Sequence, residues 1–290
     1  METKNLKWFY LILLSLVWGS SFILIKLALV GLTPIQVGAL RILITALFLL
    51  LIGFKSVFNL TKRNWFFLTI NALVGTFFPA FLFSYAIDKM DSSVAAILNS
   101  LTPFNTLVFG ALIFGYSFQK KQIFGILIGL FGTIMLIMYS NSINYNQRFF
   151  YMSLILIASV GYAINVNIIK KYLSDVKPLA ITTANFLLLI IPTVIVLYVE
   201  NLRTPLVINS ETKISILYLT ILAIFGTAIA KTIFNKLVQI STPIFSTSVT
   251  YLIPIVAVFW GYFYGENLNF MQLISGAIIL FGVYLVNKVK

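Results

Sequence analysis

The chain has 290 residues, of which 60% are hydrophobic and 9% charged; soluble proteins carry about 25% charged residues, so a water-soluble globule is excluded. Lys and Arg outnumber Asp and Glu by 20 to 7, but most of this charge falls on one side of the predicted membrane, so we predict no nucleic-acid partner. The absence of Cys and His removes disulfides, thiol chemistry and the common transition-metal ligands, so we predict no metal site and no cofactor.

Ten apolar segments follow one another along the chain, each long enough to cross the hydrocarbon core as an α-helix of about 20 residues. We number them helices 1 to 10. They are predicted at residues 8–28, 35–54, 65–87, 92–114, 121–140, 149–169, 178–199, 214–236, 243–264 and 269–287. The first is too long for the apolar region of a signal peptide, roughly 7–15 residues, so we expect it to be a span.

The distribution of basic residues predicts the orientation of these helices. With the N-terminus inside, the opposite side of the membrane holds Lys89, Arg148, Arg203 and Lys213. The cytoplasmic segments then hold thirteen basic residues: Lys4, Lys7, Lys55, Lys62, Arg63, Lys120, Lys121, Lys170, Lys171, Lys177, Lys236, Lys288 and Lys290. Because Lys and Arg accumulate on the cytoplasmic side, we predict that both termini are cytoplasmic.

Helices 4 and 9 carry matching residues at a constant separation of 151 positions. Each has a Pro near its middle, a Leu two residues before it and a Gly seven residues after it. The matching pairs are Pro103 with Pro254, Leu101 with Leu252, Gly110 with Gly261, and, in helices 3 and 8, Gly75-Thr76 with Gly226-Thr227. This recurrence indicates an internal duplication.

Each half of the duplicated chain contains five predicted helices, and because five is odd, the second copy must be inverted in the membrane. Inverted repeats are typical of secondary transporters, whose site lies where the repeats meet. We therefore predict an all-α integral membrane protein with ten transmembrane helices in two inverted five-helix repeats around a central cavity. The repeats are predicted at residues 1–142 and 147–290.

Prolines inside spans tend to kink a helix, because each frees a carbonyl one turn back. Pro79, Pro103, Pro192 and Pro254 fall inside predicted spans. Because Pro103 and Pro254 lie on corresponding helices of the two repeats, we predict that they are paired bending points that gate the cavity. The alternative is that these kinks only shape the packing.

Several short motifs, in this order, resemble those of a known family. They are Trp18-Gly19-Ser20-Ser21-Phe22, Leu40-Arg41, Phe83-Ser84-Tyr85-Ala86, Leu101-Thr102-Pro103, Leu252-Ile253-Pro254, Gly265-Glu266 and the helix 10 run 275–283. On these motifs the whole chain resembles the EamA-like transporters of the drug/metabolite transporter superfamily. The resemblance implies small-solute transport, often export, through a cavity between helices 1, 3, 4, 6, 8 and 9 in a bacterial cytoplasmic membrane. One departure is Gly115-Tyr116, where the second repeat has Gly265-Glu266.

Three basic residues lie within predicted spans: Lys26, Arg41 and Lys231. A charge at the bilayer centre costs about 2.5–3.5 kcal/mol, so such residues usually face a cavity or a partner. Lys26 and Lys231 are candidates to bind an anionic group of a solute; the alternative is that the side chain reaches the interface with its charged end. Arg41 is assigned first to a structural role, in which it reaches the outer interface or bonds to a neighbouring helix, and second to binding an anionic group.

Neutral polar and aromatic residues within the spans are candidates for the cavity wall, because a polar group in hydrocarbon needs a partner or water. The candidates for substrate contact are Trp18, Ser21, Tyr85, Asn99, Tyr162, Asn165, Thr227 and Tyr251, with Ser20, Asn105 and Asn185 as further wall residues. Packing between helices is the alternative for each of them.

No Asp, Glu or His lies deep in a predicted span, so a buried carboxylate relay for protons is not expected. Glu266, at the outer end of helix 9, is expected to cap or pair at the interface. The same absence leaves an enzyme without an acid/base pair, so we predict no catalytic residues.

The inverted repeats and the polar residues of the spans predict a secondary transporter that works by alternating access. The family resemblance implies that it moves amino acids or related metabolites in the export direction. The alternatives are an exchanger of phosphorylated sugars or nucleotide-sugars, whose phosphates also suit intramembrane cations, and a non-transporting membrane protein. The expected partners are a small-molecule solute and the lipid bilayer. Gly125-x-x-x-Gly129 in helix 5 predicts close helix packing, within one chain or between two, so monomer and homodimer both remain open.

Overall fold

The computed structural model describes residues 3–115, 120–139, 145–266 and 268–288, and within these ranges the secondary structure is helical. Ten helices lie in these ranges. They are α1 Thr3–Ala28, α2 Pro34–Gly53, α3 Lys62–Lys89, α4 Ser92–Phe114, α5 Lys120–Tyr139, α6 Tyr145–Tyr172, α7 Pro178–Arg203, α8 Ser210–Ile240, α9 Pro243–Phe263 and α10 Phe270–Lys288. They correspond one to one with helices 1 to 10 of the sequence.

The helix ends follow capping residues rather than the edges of the apolar runs. Thr33 forms a capping box with Gln36: its Oγ1 accepts the Gln36 N–H, and the Gln36 Oε1 accepts the Thr33 N–H. Asn209 Oδ1 accepts the backbone N–H of Thr212 at 2.8 Å, so α8 begins four residues before its predicted start. The first turn of α8 is polar, so hydropathy alone does not predict it as part of the helix.

Eight of the ten helices are long and apolar enough to cross a membrane, and α5 and α10 contribute shorter apolar segments within the described residues. Large apolar side chains on the outside of the bundle are exposed, for example Leu51 at 86% and Ile191 at 73%. In water such a surface would be unfavourable, whereas in lipid it costs nothing. The exposed surface therefore suits a bilayer.

The packing of the helices is symmetric between the two halves of the chain: when two helices pack together, their counterparts in the other half also pack together. Helix α1 packs along α9 of the other half, and α6, which corresponds to α1, packs along α4, which corresponds to α9. Helices α2 and α7 correspond to each other and pack together, as do α5 and α10. The predicted repeat boundaries at 142 and 290 lie outside the described residues, so the exact division at 1–142 and 147–290 stays a prediction.

Two pairs of corresponding helices are interrupted, the α3 and α8 pair at matching positions and the α4 and α9 pair at positions a few residues apart. Helix α3 contains a π-helical segment at Leu73–Phe77, and α8 contains one at Leu222–Ile229. Helix α4 breaks between Asn99 and Thr102, and α9 breaks at Ser248. Each π-helical segment contains one copy of the Gly-Thr pair that recurs at 151 residues.

The two prolines predicted as equivalent kinks have different local structures. Pro103 is the second residue of the α4 segment that begins at Thr102, where a proline leaves no helical hydrogen bond unmade. Pro254 lies inside the continuous segment Val249–Phe263, so its helix lacks one backbone bond. The break in α4 ends at Leu101, two residues before its proline, whereas the break in α9 precedes its proline by six residues.

The residues that follow the ends of α4 and α9 have the same backbone conformation in the two repeats. Gly115 and Gly265 both have a φ of 80°, a left-handed conformation that favours glycine. Tyr116, where the first repeat departs from the Glu266 of the second, lies outside the described residues.

Candidate functional site

A cavity of about 100 Å³ lies between the two halves of the bundle. Helices α1, α2, α3, α4, α6, α7, α8 and α9 contribute side chains to its wall, so α2 and α7 join the six helices that the family resemblance implies. Six of the predicted substrate contacts line it: Trp18, Ser21, Asn99, Tyr162, Asn165 and Lys231. Asn185, predicted as a further wall residue, lines it as well.

Aromatic rings form much of the wall. The ring of Trp18 lies 4.9 Å from that of Phe234, and its Nε1 donates to the carbonyl of Gly226 in the π-helical segment of α8. On the opposite side Phe83 is stacked at 5.8 Å on Tyr162, and Phe22 meets Phe83 edge to face. Such walls favour solutes with an apolar or flat part.

Amide side chains supply polar groups to the same cavity. Asn165 Nδ2 donates to Asn71 Oδ1 at 2.6 Å, and Asn235 Nδ2 donates to Thr182 Oγ1 at 2.9 Å. The Oδ1 of Asn185 is buried and has no hydrogen-bond partner among the described residues. A buried acceptor without a partner is costly, so this oxygen is available to a donor group of a bound molecule.

Two half-buried cations reach from one half of the chain onto the π-helical segment of the other. Arg41 Nε donates to Thr227 Oγ1 at 2.8 Å. Lys231 Nζ donates to the carbonyl oxygen of Gly75 and to Thr76 Oγ1. A π-helical turn shifts the backbone bonding by one residue and leaves groups free for such contacts. The recurrent Gly-Thr pairs therefore mark the points where the two halves exchange contacts.

A smaller cavity of about 20 Å³ adjoins the main one. Arg41, Tyr162 and Lys231 line both cavities, and Thr227, a further predicted contact, lines only the smaller one. Arg41, which sequence reasoning assigned first to a structural bond, makes that bond and faces both cavities at once.

No carboxylate lies in the wall of either cavity within the described part of the chain. The ion pairs of the described residues involve Lys26 and Lys89, which lie in the last turns of α1 and α3. Arg41 and Lys231 therefore have no acidic partner there. A buried cation without a counter-ion is costly, so the pair offers a binding place for an anionic group.

Lys26 lies outside both cavities and is held by Glu266, at 2.8 Å from Nζ to Oε1. The carboxylate of Glu266 also accepts the N–H groups of Ser92 and Ser93 and the hydroxyl of Ser93. It thereby caps the start of α4 from the other half of the chain, at the place where the sequence predicted it to cap or pair. Asp91 lies 3.6 Å from the same Lys26.

The two carboxyl groups at this outer cluster have pKa values that shift in opposite directions. Burial by itself raises the pKa of Glu266, but the hydrogen bonds from Lys26, Ser93 and Ser92 outweigh it, so the net pKa is lowered. The pKa of Asp91 is raised by burial and then by the negative charge of Glu266, with Lys26 opposing both. Glu266 is therefore the carboxylate that holds this cluster together in its charged form.

The other predicted residues lie away from the cavities. Tyr85 is 40% exposed on α3, and Tyr251 of α9 packs against the apolar core. Ser20 accepts a hydrogen bond from Trp260 Nε1, and Asn105 donates to Ser159 Oγ. For these four residues the structure shows packing or surface positions rather than cavity positions.

Sequence reasoning missed several wall residues that carry no charge. Thr182, Thr247 and Thr250 line the main cavity together with the small residues Gly75 and Gly226. The two glycines could have been predicted from the sequence, because the pairs Gly75-Thr76 and Gly226-Thr227 recur 151 residues apart. The threonines gave no comparable signal, because a single Thr in a span is common and bonds to its own helix.

The sequence matches the family model described as the EamA-like transporter family over residues 6–138 and 149–288. A protein of Salmonella typhimurium named probable amino-acid metabolite efflux pump is 27% identical, over 96% of this chain and 93% of that protein. A protein of Escherichia coli K12 named uncharacterized inner membrane transporter YedA is also 27% identical, over 96% of this chain and 89% of that protein.

A solved crystal structure of another protein matches this fold with a TM-score of 0.69 at 17% sequence identity. The match covers 96% of this chain and 95% of the other chain. At that identity the likeness concerns the fold alone. Together with the family match over both halves, it confirms the prediction of a helical membrane fold.

Proposed function

This chain belongs to the EamA-like transporter family, and we propose that it exports amino acids or related metabolites that carry a carboxylate, by alternating access. It is an integral membrane protein of the inner membrane that transports small metabolites. The finer statement, on solute class and direction, draws support from the cavity and from the name of the Salmonella relative.

One observation carries the proposed solute class: two half-buried cations without an acidic partner in the described residues line a cavity that also has aromatic walls. Arg41 and Lys231 supply positive charge and N–H donors at one end of it. The Oδ1 of Asn185 supplies an acceptor in the same wall. A carboxylate against the cations and an amine against Asn185 would satisfy groups that the protein leaves unpaired.

The arrangement of the halves supports the proposal of alternating access. The cavity lies where the two inverted repeats meet, and its wall draws on both. Arg41 and Lys231 each bond to the opposite half, so a solute that competes for these donors would loosen the contact between halves. We propose that this competition links solute binding to the change of access. No catalytic role is proposed for any residue.

The test is flux into proteoliposomes over a panel of amino acids, other carboxylates, and phosphorylated sugars. Wild type is compared with Lys231→Ala and with Lys213→Ala, an exposed lysine on the same helix. We expect carboxylate flux to fall at least about tenfold in Lys231→Ala, as for loss of one charge-assisted bond, and to be unchanged in Lys213→Ala. Equal flux in all three proteins would contradict the role of Lys231, and flux of phosphorylated sugars alone would favour the exchanger.

A further inference from the structure

The smaller cavity has the dimensions of a site for a single small ion. Its volume is about 20 Å³. By the same measure, a cavity needs a volume of roughly 10–15 Å³ to hold one water molecule. An amino acid or sugar does not fit there, so the organic part of a solute belongs in the main cavity. A monatomic ion fits beside it.

The donors that face this space exceed what the protein itself uses. A guanidinium has five N–H donors and an ammonium has three. Within the described residues Arg41 uses one of them, toward Thr227, and Lys231 uses two, toward Gly75 and Thr76. Four N–H groups of Arg41 and one of Lys231 are therefore left for a ligand.

The rest of the wall is mostly apolar. Ile42, Ala80, Phe186 and the ring of Tyr162 complete the cavity, and Lys231 Nζ lies 5.9 Å from the centre of the Phe186 ring. A charge pair in such surroundings interacts more strongly than in water. The small volume favours a monatomic anion over a large, strongly hydrated one such as sulfate.

We infer that the smaller cavity binds one small inorganic anion of the halide class, such as chloride, between Arg41 and Lys231 and beside the solute. The anion supplies the negative charge that the described residues do not place near Arg41, whose guanidinium stays protonated in proteins. On the proposed transport function, on which this step rests, the anion travels with the solute or must be bound for the change of access.

The binding test uses the purified full chain without solute. Its unfolding temperature is followed by tryptophan fluorescence while chloride replaces gluconate at constant sodium. We expect a saturable rise of several degrees in wild type, a shift of the half-saturating chloride concentration by at least tenfold in Arg41→Gln, and no shift in Arg63→Gln. Arg63 is an exposed arginine near the start of α3 and serves as the matched control.

Three results would overturn the site. They are no chloride effect in wild type, the same effect in Arg41→Gln as in Arg63→Gln, or equal stabilisation by sulfate and chloride, which indicates screening of surface charge. If Arg41→Gln is not recovered folded, the sulfate comparison on wild type and the variant Lys231→Gln decide the question in the same way.

The coupling test is solute flux into proteoliposomes with chloride or gluconate on both sides. We expect flux to fall at least fivefold in gluconate and bromide to restore it. Equal flux in the two salts overturns the coupling and leaves the proposed function intact. Slower flux with rising chloride shows that the anion competes with the solute carboxylate, which overturns simultaneous binding. Absence of flux in every salt contradicts the proposed function, while the unfolding experiment still decides whether the anion site exists.

Discussion

At the scale of single residues, the three cations of the spans have two kinds of environment. Lys26 is paired with Glu266 near the end of α1, whereas Arg41 and Lys231 are bonded to neutral groups of the opposite half. All three charged groups therefore have protein partners. Position along a helix alone does not distinguish these cases.

Glu266→Gln is expected to lower stability at neutral pH and to change its pH dependence. The pKa of Glu266 is lowered on folding, so its contribution is present above the ordinary value of 4.5 and is lost as the pH falls through the folded pKa. We expect wild type to lose stability below about pH 4.5 more steeply than the variant, and the variant to be less stable at pH 7 by about 1.5–3 kcal/mol.

The measurement is thermal unfolding between pH 3 and pH 7. Glu211→Gln, which changes an exposed glutamate in the first turn of α8, is the control, and we expect a change below about 1 kcal/mol. Parallel pH profiles for wild type and Glu266→Gln would show that the carboxylate does not hold the outer cluster together.

At the scale of elements, the interruptions of α3, α4, α8 and α9 are the features that build the site. The π-helical segments present Gly75 and Gly226 to the cavity, and the breaks in α4 and α9 place Asn99 and Thr250 there. In regular helices the backbone carbonyls of Gly75 and Gly226 would be used by hydrogen bonds within the helix, whereas here they accept bonds from Lys231 and Trp18. The site therefore depends on corresponding irregularities in the two halves.

Pro254→Ala and Pro103→Ala are expected to differ, although the sequence makes the two prolines equivalent. We propose that Pro254, inside a continuous helical segment, is the bending point, because alanine there restores a backbone bond. We expect Pro254→Ala to raise the unfolding temperature and to slow flux severalfold. Pro103→Ala, at the second residue of its segment, should change both much less. Flux and unfolding of both variants test this, and a larger effect at Pro103 would reverse the assignment.

Gly282→Ala tests the packing of α5 against α10. A Cβ at Gly282 would lie 2.5 Å from the backbone N of Gly129 and 2.7 Å from the carbonyl of Gly125. Since backbone does not yield easily, we expect a loss of about 1–3 kcal/mol. Gly276→Ala, on the same helix, meets nothing closer than 3.4 Å and should be neutral or slightly stabilising.

Thermal unfolding of both variants of α10 gives the comparison. Equal unfolding temperatures for Gly282→Ala and Gly276→Ala would mean that α5 and α10 move apart at no cost in stability.

The Gly125-x-x-x-Gly129 motif packs against Gly282 of the same chain. This contact is within one chain, so it leaves the oligomeric state open.

At the scale of the whole molecule, the orientation in the membrane remains a prediction from charge. We propose cytoplasmic termini, which places the loop before α3 inside and the loop before α8 outside. The chain has no cysteine, so labelling of an introduced cysteine is not obscured by labelling elsewhere in the chain. In intact cells we expect a membrane-impermeant maleimide to label Ser210→Cys and to label Ser56→Cys only after permeabilisation. The reverse pattern would invert the orientation and the direction of export.

The sequence by itself determined the class of protein, the ten helices and the duplication, because hydropathy and the spacing of Gly, Thr and Pro are local properties of the chain. It also named seven wall candidates that line the main cavity. A polar or charged side chain in a span marks such a candidate because it is unfavourable in lipid, but this does not show whether the side chain faces the cavity or packs between helices.

Only the tertiary structure decided which cation faces the cavity and which is neutralised. Lys26 meets Glu266, 240 residues away, and Arg41 meets Thr227, 186 residues away. Such contacts depend on how two inverted halves pack, and no spacing along one helix encodes them. The sequence supplies charges to the spans, but whether a charge is paired or available to an anion depends on what the other half places opposite it.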